Sequence, residues 1–130
     1  MSNVGNSYMF RLEAAAYLQL RGLAETVARP IHRSLAQQFI EGQDHGDLLG
    51  LGPWAIEVRN ERTMDLSGAM NTARDEATQA GATFYAAVHR RRGHSVSDAY
   101  VTMPLSQLAS LLVAGLPPQL PVGSDSGVPS

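Results

Sequence analysis

The stretch Asp47-Leu48-Leu49-Gly50-Leu51-Gly52-Pro53-Trp54-Ala55-Ile56-Glu57-Val58-Arg59 decides the fold of this chain. Gly52-Pro53 is a turn signal between two short runs that favour extended backbone. The spacing predicts a β-hairpin, with Asp47–Gly50 as one arm and Trp54–Arg59 as the other. In the second arm Trp54, Ile56 and Val58 alternate with Ala55, Glu57 and Arg59, so period two sends the two sets to opposite faces. Folded about Gly52, the hairpin sets Leu51 against Pro53, Gly50 against Trp54 and Asp47 against Glu57.

That register has a chemical consequence. Directly opposed residues point to one face with Cβ atoms ~4.5–5.5 Å apart. Two carboxylates there repel unless a cation lies between them. A hard divalent ion such as Mg²⁺, held by one or two carboxylates plus waters and phosphate oxygens, answers that need. Arg59, two residues beyond Glu57, adds a permanent positive charge on the same face, where a phosphate would dock. The other reading of the same residues is a polar face turned to water, with Glu57 and Arg59 an ordinary surface pair. A register shifted by one residue would remove the metal reading.

Outward from the hairpin, residues 1–6 read as a frayed N-terminus. A helix is expected from Ser7 to Arg21, with Met9, Leu12, Ala16, Leu20 and Leu23 as its inner stripe and Gly22 as its stop. Glu13 flanks that stripe. Thr26–Ile31 reads as an edge strand interrupted by Pro30, Ser34–Glu41 as a short helix or ordered loop, and Glu41–Gly46 as a loop. Beyond the hairpin, Asp65 caps a helix to Ala80 with the stripe Leu66, Met70, Ala73, Ala77 and Ala80, ended by Gly81. Thr83–His89 is a nearly continuous apolar run, expected as a central strand. Arg90–Ser97 is a basic loop and Ala99–Met103 a short strand. Pro104 opens a last helix to Ala114, with Leu105, Leu108, Leu111 and Leu112 expected inside. From Leu116 on, four Pro, two Gly and three Ser in fifteen residues read as a disordered tail. The expected fold is α/β, a central mixed sheet flanked by helices, over residues 7–115.

Composition bounds the function. At 130 residues, 44% hydrophobic and 17% charged, the chain is one domain able to bury a core. Zero cysteines exclude a disulfide scaffold and a cysteine-ligated zinc site. No run approaches the ~18 apolar residues of a membrane helix. No basic stretch precedes an apolar block at the N-terminus, so no secretory signal is expected and the chain reads as soluble and intracellular. A net charge of −2 excludes nucleic-acid binding by bulk charge and leaves a local basic patch open. All ten basic residues are arginine, so there is no catalytic lysine, and phosphate contacts fall to Arg, His or backbone groups.

Glu13 on a first helix, then His45-Gly46-Asp47-Leu48-Leu49-Gly50, then Trp54-Ala55-Ile56-Glu57-Val58-Arg59-Asn60, resembles the PD-(D/E)XK nuclease superfamily. That pattern has an acid on the first helix, an Asp entering a hairpin and Glu-x-Lys on the next strand. More closely, the chain resembles the small Holliday-junction-resolvase-like proteins of actinobacterial phages, related to archaeal resolvases. The later pieces carrying this likeness are Met64-Asp65-Leu66, Ala80-Gly81-Ala82, Ala87-Val88-His89-Arg90-Arg91-Arg92-Gly93 and Tyr100-Val101-Thr102-Met103-Pro104-Leu105. It spans roughly Phe10 to Leu112.

The resemblance implies a restriction-endonuclease-like fold and a structure-specific endonuclease acting on branched DNA, with Mg²⁺ or Mn²⁺ as cofactor. It implies Glu13, Asp47, Glu57 and Arg59 as catalytic residues, and Asp47, Glu57 and the Val58 carbonyl as metal ligands. Arg62, Arg90, Arg91 and Arg92 would hold DNA, with Arg29 and Arg33 weaker candidates. His89 reads as a structural histidine, and His45 has no default role. A homodimer would bring two active sites to one junction. The expected location is cytoplasmic, the host cytoplasm for a phage-encoded chain. One departure is central: Arg59 stands where the pattern has lysine. Arg keeps the charge and a bidentate fork but cannot act as a base. The alternative is therefore a catalytically impaired DNA-binding or assembly protein on the same fold.

Overall fold

A computed structural model describes residues 3–30 and 46–116. The expected helix or loop at Ser34–Glu41, the loop from Glu41 up to Gly46, Arg33, His45 and the tail beyond Leu116 lie outside the described residues. The elements are α1 (Asn3–Leu20), β1 (Val27–Ala28), β2 (Leu48–Leu49), β3 (Trp54–Arg59), α2 (Leu66–Ala80), β4 (Phe84–His89), a 3₁₀ turn (Val96–Asp98), β5 (Tyr100–Thr102) and α3 (Leu105–Gly115). Five strands form one mixed sheet in the order β1-β2-β3-β4-β5. β3 and β4 are parallel and joined through α2, while every other pair is antiparallel. The α/β class read from the sequence is the class observed.

The hairpin has the expected register. Leu48 pairs with Ile56, which sets Asp47 opposite Glu57. Its connection depends on glycine: Gly50 has φ +81, and a Cβ there would collide with the Glu25 carbonyl. Alternation along β3 then divides the molecule into layers. Ile56 and Val58 pack with Leu48, Ala86, Phe10, Ala14 and Ala15 under α1. Trp54 joins that side and stacks on Phe84 with ring centroids 4.9 Å apart. On the other face Ala55 and Ala87 meet the buried Ala69, Ala73 and Ala77 of α2. Alanine at each of these points lets α2 lie close to the sheet. Asp65 caps α2 by accepting from the Gly68 N–H at 2.9 Å, and Gly81 closes it at φ 71.

The inner faces of α1 and α3 differ from expectation, and that of α2 differs at its first turn. α1 begins at Asn3, earlier than Ser7, and turns Phe10, Ala14 and Ala15 inward. Met9, Leu12, Leu20 and Leu23 are exposed, Leu20 to 87%. Small residues won over larger aliphatics because they allow α1 to approach β3. In α2 the expected Ala73 and Ala77 are buried, joined by Ala69, and only Leu66 of the expected stripe is exposed. In α3 Leu105, Leu108, Leu111 and Leu112 are all exposed, and the buried residue is Gln107. The Gln107 amide accepts from the Tyr85 N–H and donates to the Tyr85 carbonyl. β5 ends at Thr102, so Tyr85, paired with Ala55 of β3 on one side, has no β5 partner on the other. Gln107 satisfies that open edge in place of a ladder residue.

Candidate active site

β3 and β4 run parallel and end together, with the Arg90 N–H donating to the Arg59 carbonyl at 2.9 Å. Side chains from the carboxyl ends of parallel strands gather at such an edge. Glu57 and Arg59 lie on the α2 face of β3, and Asp47 joins them from the start of β2. Asp47 and Glu57 are each 9% exposed.

Every oxygen of Asp47 has a partner. Oδ2 accepts from the Val58 N–H at 2.8 Å, and Oδ1 pairs with the Arg11 guanidinium at 3.1 Å. Arg11 also donates to the Arg29 carbonyl at 2.6 Å, and the Arg29 N–H donates to the Asp47 carbonyl at 2.9 Å. Arg11 thus ties α1 and β1 to the site. The N–H and C=O of one strand residue point the same way, so the Val58 carbonyl is aimed to the Asp47 side of β3.

Arg59 uses all three of its nitrogens. Nε donates to Glu57 Oε2 at 2.7 Å, one terminal nitrogen to Glu61 Oε2 at 2.7 Å, and the other to Thr72 Oγ1 at 3.1 Å. Burial disfavours its charge, but the bonds to Glu61 and Glu57 outweigh that and raise its pKa further.

A third carboxyl completes the cluster. Glu76 of α2 lies against Glu57, placed so that a proton on one carboxyl bridges to the other, and its Oε1 is buried with no hydrogen-bond partner. Burial, then the charges of Glu57 and Asp47, push Glu76 up to about 8, while Arg29 opposes. Burial and the Asp47 charge also raise Glu57, against its bond to Arg59. Glu57 and Glu76 therefore hold one proton between them near neutral pH.

This has a consequence for stability. A carboxyl raised in the folded state binds a proton that the unfolded chain releases above its ordinary value of 4.5. Its contribution is full below that value and is lost as pH rises through about 8. Glu76→Gln keeps a donor and removes the titration. Stability of the metal-free protein is expected to fall from pH 5 to pH 8. The variant is expected to gain about 1–2 kcal/mol at pH 8 after allowance for solvent screening. Urea melts at both pH values check this, and an unchanged slope in the variant would place the proton elsewhere.

The other expected site residues fall as follows. Glu13 is exposed on α1 and forms no ion pair among the described residues; the α1 side chain that reaches Asp47 is Arg11. The helix rotates relative to the expected stripe, and this carries Glu13 out of the cluster. His89 is 1% exposed, in register beside Arg59, with Nε2 2.8 Å from Thr102 Oγ1; burial lowers its pKa and keeps it neutral. Arg62, Arg90, Arg91 and Arg92 line a separate cleft that Glu61 borders. Arg11, Thr72 and Glu76 do not stand out in the sequence. Thr72 and Glu76 are four apart and border the Ala69-Ala73-Ala77 stripe, and that placement is the signal that could have found them.

Among the described residues no three His, Cys, Asp or Glu side chains lie close enough to form a metal site by themselves. Asp47, Glu57 and the Val58 carbonyl are oxygen donors of the kind a hard divalent cation takes, though Asp47 is engaged by the Val58 N–H and Arg11, and Glu57 Oε2 by Arg59. Glu57 and Glu76 are raised partly by neighbouring negative charge, and the buried Oε1 of Glu76 has no donor of its own. Comparison with protein-family models, curated proteins and solved structures finds no match to this chain.

Proposed function

We propose that this chain is a metal-dependent, structure-specific endonuclease acting on branched DNA of the four-way-junction type, on a restriction-endonuclease-like fold. One observation carries the reading: Asp47 and Glu57 oppose each other across the hairpin, with Arg59 bound to Glu57 on the same face. The β3-α2-β4 crossover and the mixed sheet suit that fold. Asp47, Glu57 and the Val58 carbonyl would hold the cation, Mg²⁺ or Mn²⁺. When bound, it supplies an activated water and neutralises charge developing on the phosphate. Arg59 adds fixed positive charge beside the phosphate, Arg11 fixes the Asp47 carboxylate, and Glu76 shares a proton with Glu57.

A second reading, DNA binding without cleavage, is favoured by the state of Arg59. Its guanidinium is wholly engaged by Glu57, Glu61 and Thr72 and stands where the resembled pattern has lysine. Incubating the protein with synthetic four-way junctions in Mg²⁺ or Mn²⁺ separates the two. Nicking supports the nuclease, tight binding without nicking supports the second reading, and a protein that neither nicks nor binds the junction overturns both.

The basic loop is the expected grip on DNA. Replacing Arg90, Arg91 and Arg92 together by Ala should weaken binding to all sequences alike. It should also flatten the salt dependence by ~0.9 for each phosphate no longer neutralised. Unchanged affinity and slope in a filter-binding titration would return the loop to a solvated surface.

A second copy of the chain is the expected protein partner, and α3 suits it. At 100° per residue, Leu105 and Leu112 project nearly opposite to the docked Gln107, and residues 105–116 carry no charge. Leu112→Glu is therefore expected to convert a dimer to a monomer at micromolar concentration, as read by light scattering. No helix among the described residues is long and apolar enough to cross a membrane. A cytoplasmic location belongs to this proposal.

A further inference from the structure

The cleft beside the candidate site has a feature that phosphate binding alone does not explain. It measures about 340 Å³ and is lined by Arg62, Arg90, Arg91, Arg92 and Tyr100, with Glu61 as the wall shared with Arg59. None of these four arginines has a carboxylate partner among the described residues, whereas Arg11 and Arg59 are both ion-paired. The cleft thus keeps its positive charge for an anionic ligand. Tyr100, fixed on β5 opposite His89, is 51% exposed, and the Arg91 guanidinium lies over its ring, 4.4 Å from the centroid. The ring covers one face of the guanidinium and restrains it by cation–π attraction. A planar cation restrained in this way offers a flat surface, which bases use when they are out of a duplex.

We propose that the Arg91–Tyr100 pair is a stacking ledge for an unpaired nucleobase, on a strand whose phosphates are held by Arg62, Arg90 and Arg92. The inference rests on the nucleic-acid reading above and narrows its substrate. The ligand is a strand with a splayed nucleotide, as at a branch point, and not continuous duplex, whose bases cannot reach the ledge. Because Glu61 borders both the cleft and Arg59, the splayed nucleotide lies next to the phosphate presented to Glu57 and Asp47.

The test is a cycle between a protein change and a DNA change. Dissociation constants are measured for a short single-stranded oligonucleotide and for copies carrying one abasic site at successive positions. Wild type is compared with Tyr100→Leu, Tyr100→Phe, Arg91→Ala and Arg92→Ala, each checked for folding by thermal melting. Stacking of one base is worth roughly ten-fold in affinity. Tyr100→Leu should lose about that factor with the intact strand and almost nothing with the strand abasic at one position. Arg91→Ala, which also removes a charge facing the phosphates, should lose about that factor more with the intact strand than with the abasic one. Tyr100→Phe should keep it, and Arg92→Ala should weaken both strands equally. If Tyr100→Leu and Arg91→Ala weaken intact and abasic strands alike, or neither, the ledge is overturned while DNA binding stands. If wild type binds no DNA, junction or single strand, both the ledge and the nucleic-acid reading fall.

Discussion

Glu57→Gln is expected to lower the rate of junction cleavage by roughly a thousand-fold, about 4 kcal/mol of transition-state stabilisation, while leaving the fold intact or steadier. The two effects have one cause. Glu57 is buried beside Asp47 and Glu76, and both burial and the Asp47 charge disfavour its ionised form. A neutral amide relieves that repulsion and can still accept from Arg59 through its oxygen. It cannot supply the negative charge that holds a divalent cation. A lower rate with an unchanged or higher melting temperature would mark Glu57 as kept for chemistry at some cost in stability. Single-turnover cleavage in Mg²⁺, with a melt of the same preparation, gives both numbers. If the variant cuts as fast as wild type, the metal reading of the hairpin is wrong. If it is inactive only because it is unfolded, the melt says so. Asp47→Asn is a weaker probe, because it also disturbs the anchor made by Arg11 and the Val58 N–H.

What the sequence shows of this site follows from where its order comes from. The pairing of Asp47 with Glu57 was legible because a hairpin is local: a turn at Gly52-Pro53 and a period of two fix which residues oppose. The side of the sheet taken by Glu57 and Arg59 was legible for the same reason. Residues arriving from distant elements were not. Arg11 and Glu76 reach the cluster through the rotation of α1 and α2 about their own axes. In α1 the hydropathy pattern points to a different rotation; in α2 the expected Ala73 and Ala77 do take the sheet contact, but nothing in that stripe marks their neighbour Glu76. In α1 the large aliphatics suggest one face, whereas Phe10, Ala14 and Ala15 take the contact. Close approach of helix to sheet rewards small side chains, and a hydropathy stripe underweights them. In α1 that difference moves the expected acid, Glu13, to the outside and leaves Arg11 in the place that faces Asp47.

The last helix departs from expectation for another reason. Its leucines repeat at helical spacing, and nothing among the described residues covers them. Its attachment to the body rests on Gln107, a residue that no apolar pattern would select, because the need it meets is an open strand edge at Tyr85. Periodicity reports that a face is apolar and does not say against what it packs.

Arg59 decides between the two functional readings, and its variants should separate them. The guanidinium carries three bonds to Glu57, Glu61 and Thr72, with its side chain 19% exposed. Arg59→Ala leaves Glu57 and Glu61 without their cation, so it should lower stability by roughly 2–3 kcal/mol. If the protein cuts DNA, the same change should slow cleavage by about a hundred-fold, the scale of losing one transition-state donor. Arg59→Lys restores a compact ammonium. It cannot bridge both acids and Thr72 as the fork does, so it should lose some stability, about 1 kcal/mol. Freed from the fork, its charge can approach a metal-bound water more closely, and the rate should hold or rise. The two variants therefore shift stability in one direction and rate in opposite directions. A chain that only binds DNA would show the stability losses with no cleavage in any variant. Active wild type with an unchanged rate in Arg59→Ala would show that Arg59 is a structural clamp between Glu57 and Glu61, and that the chemistry at this edge belongs to the carboxylates alone.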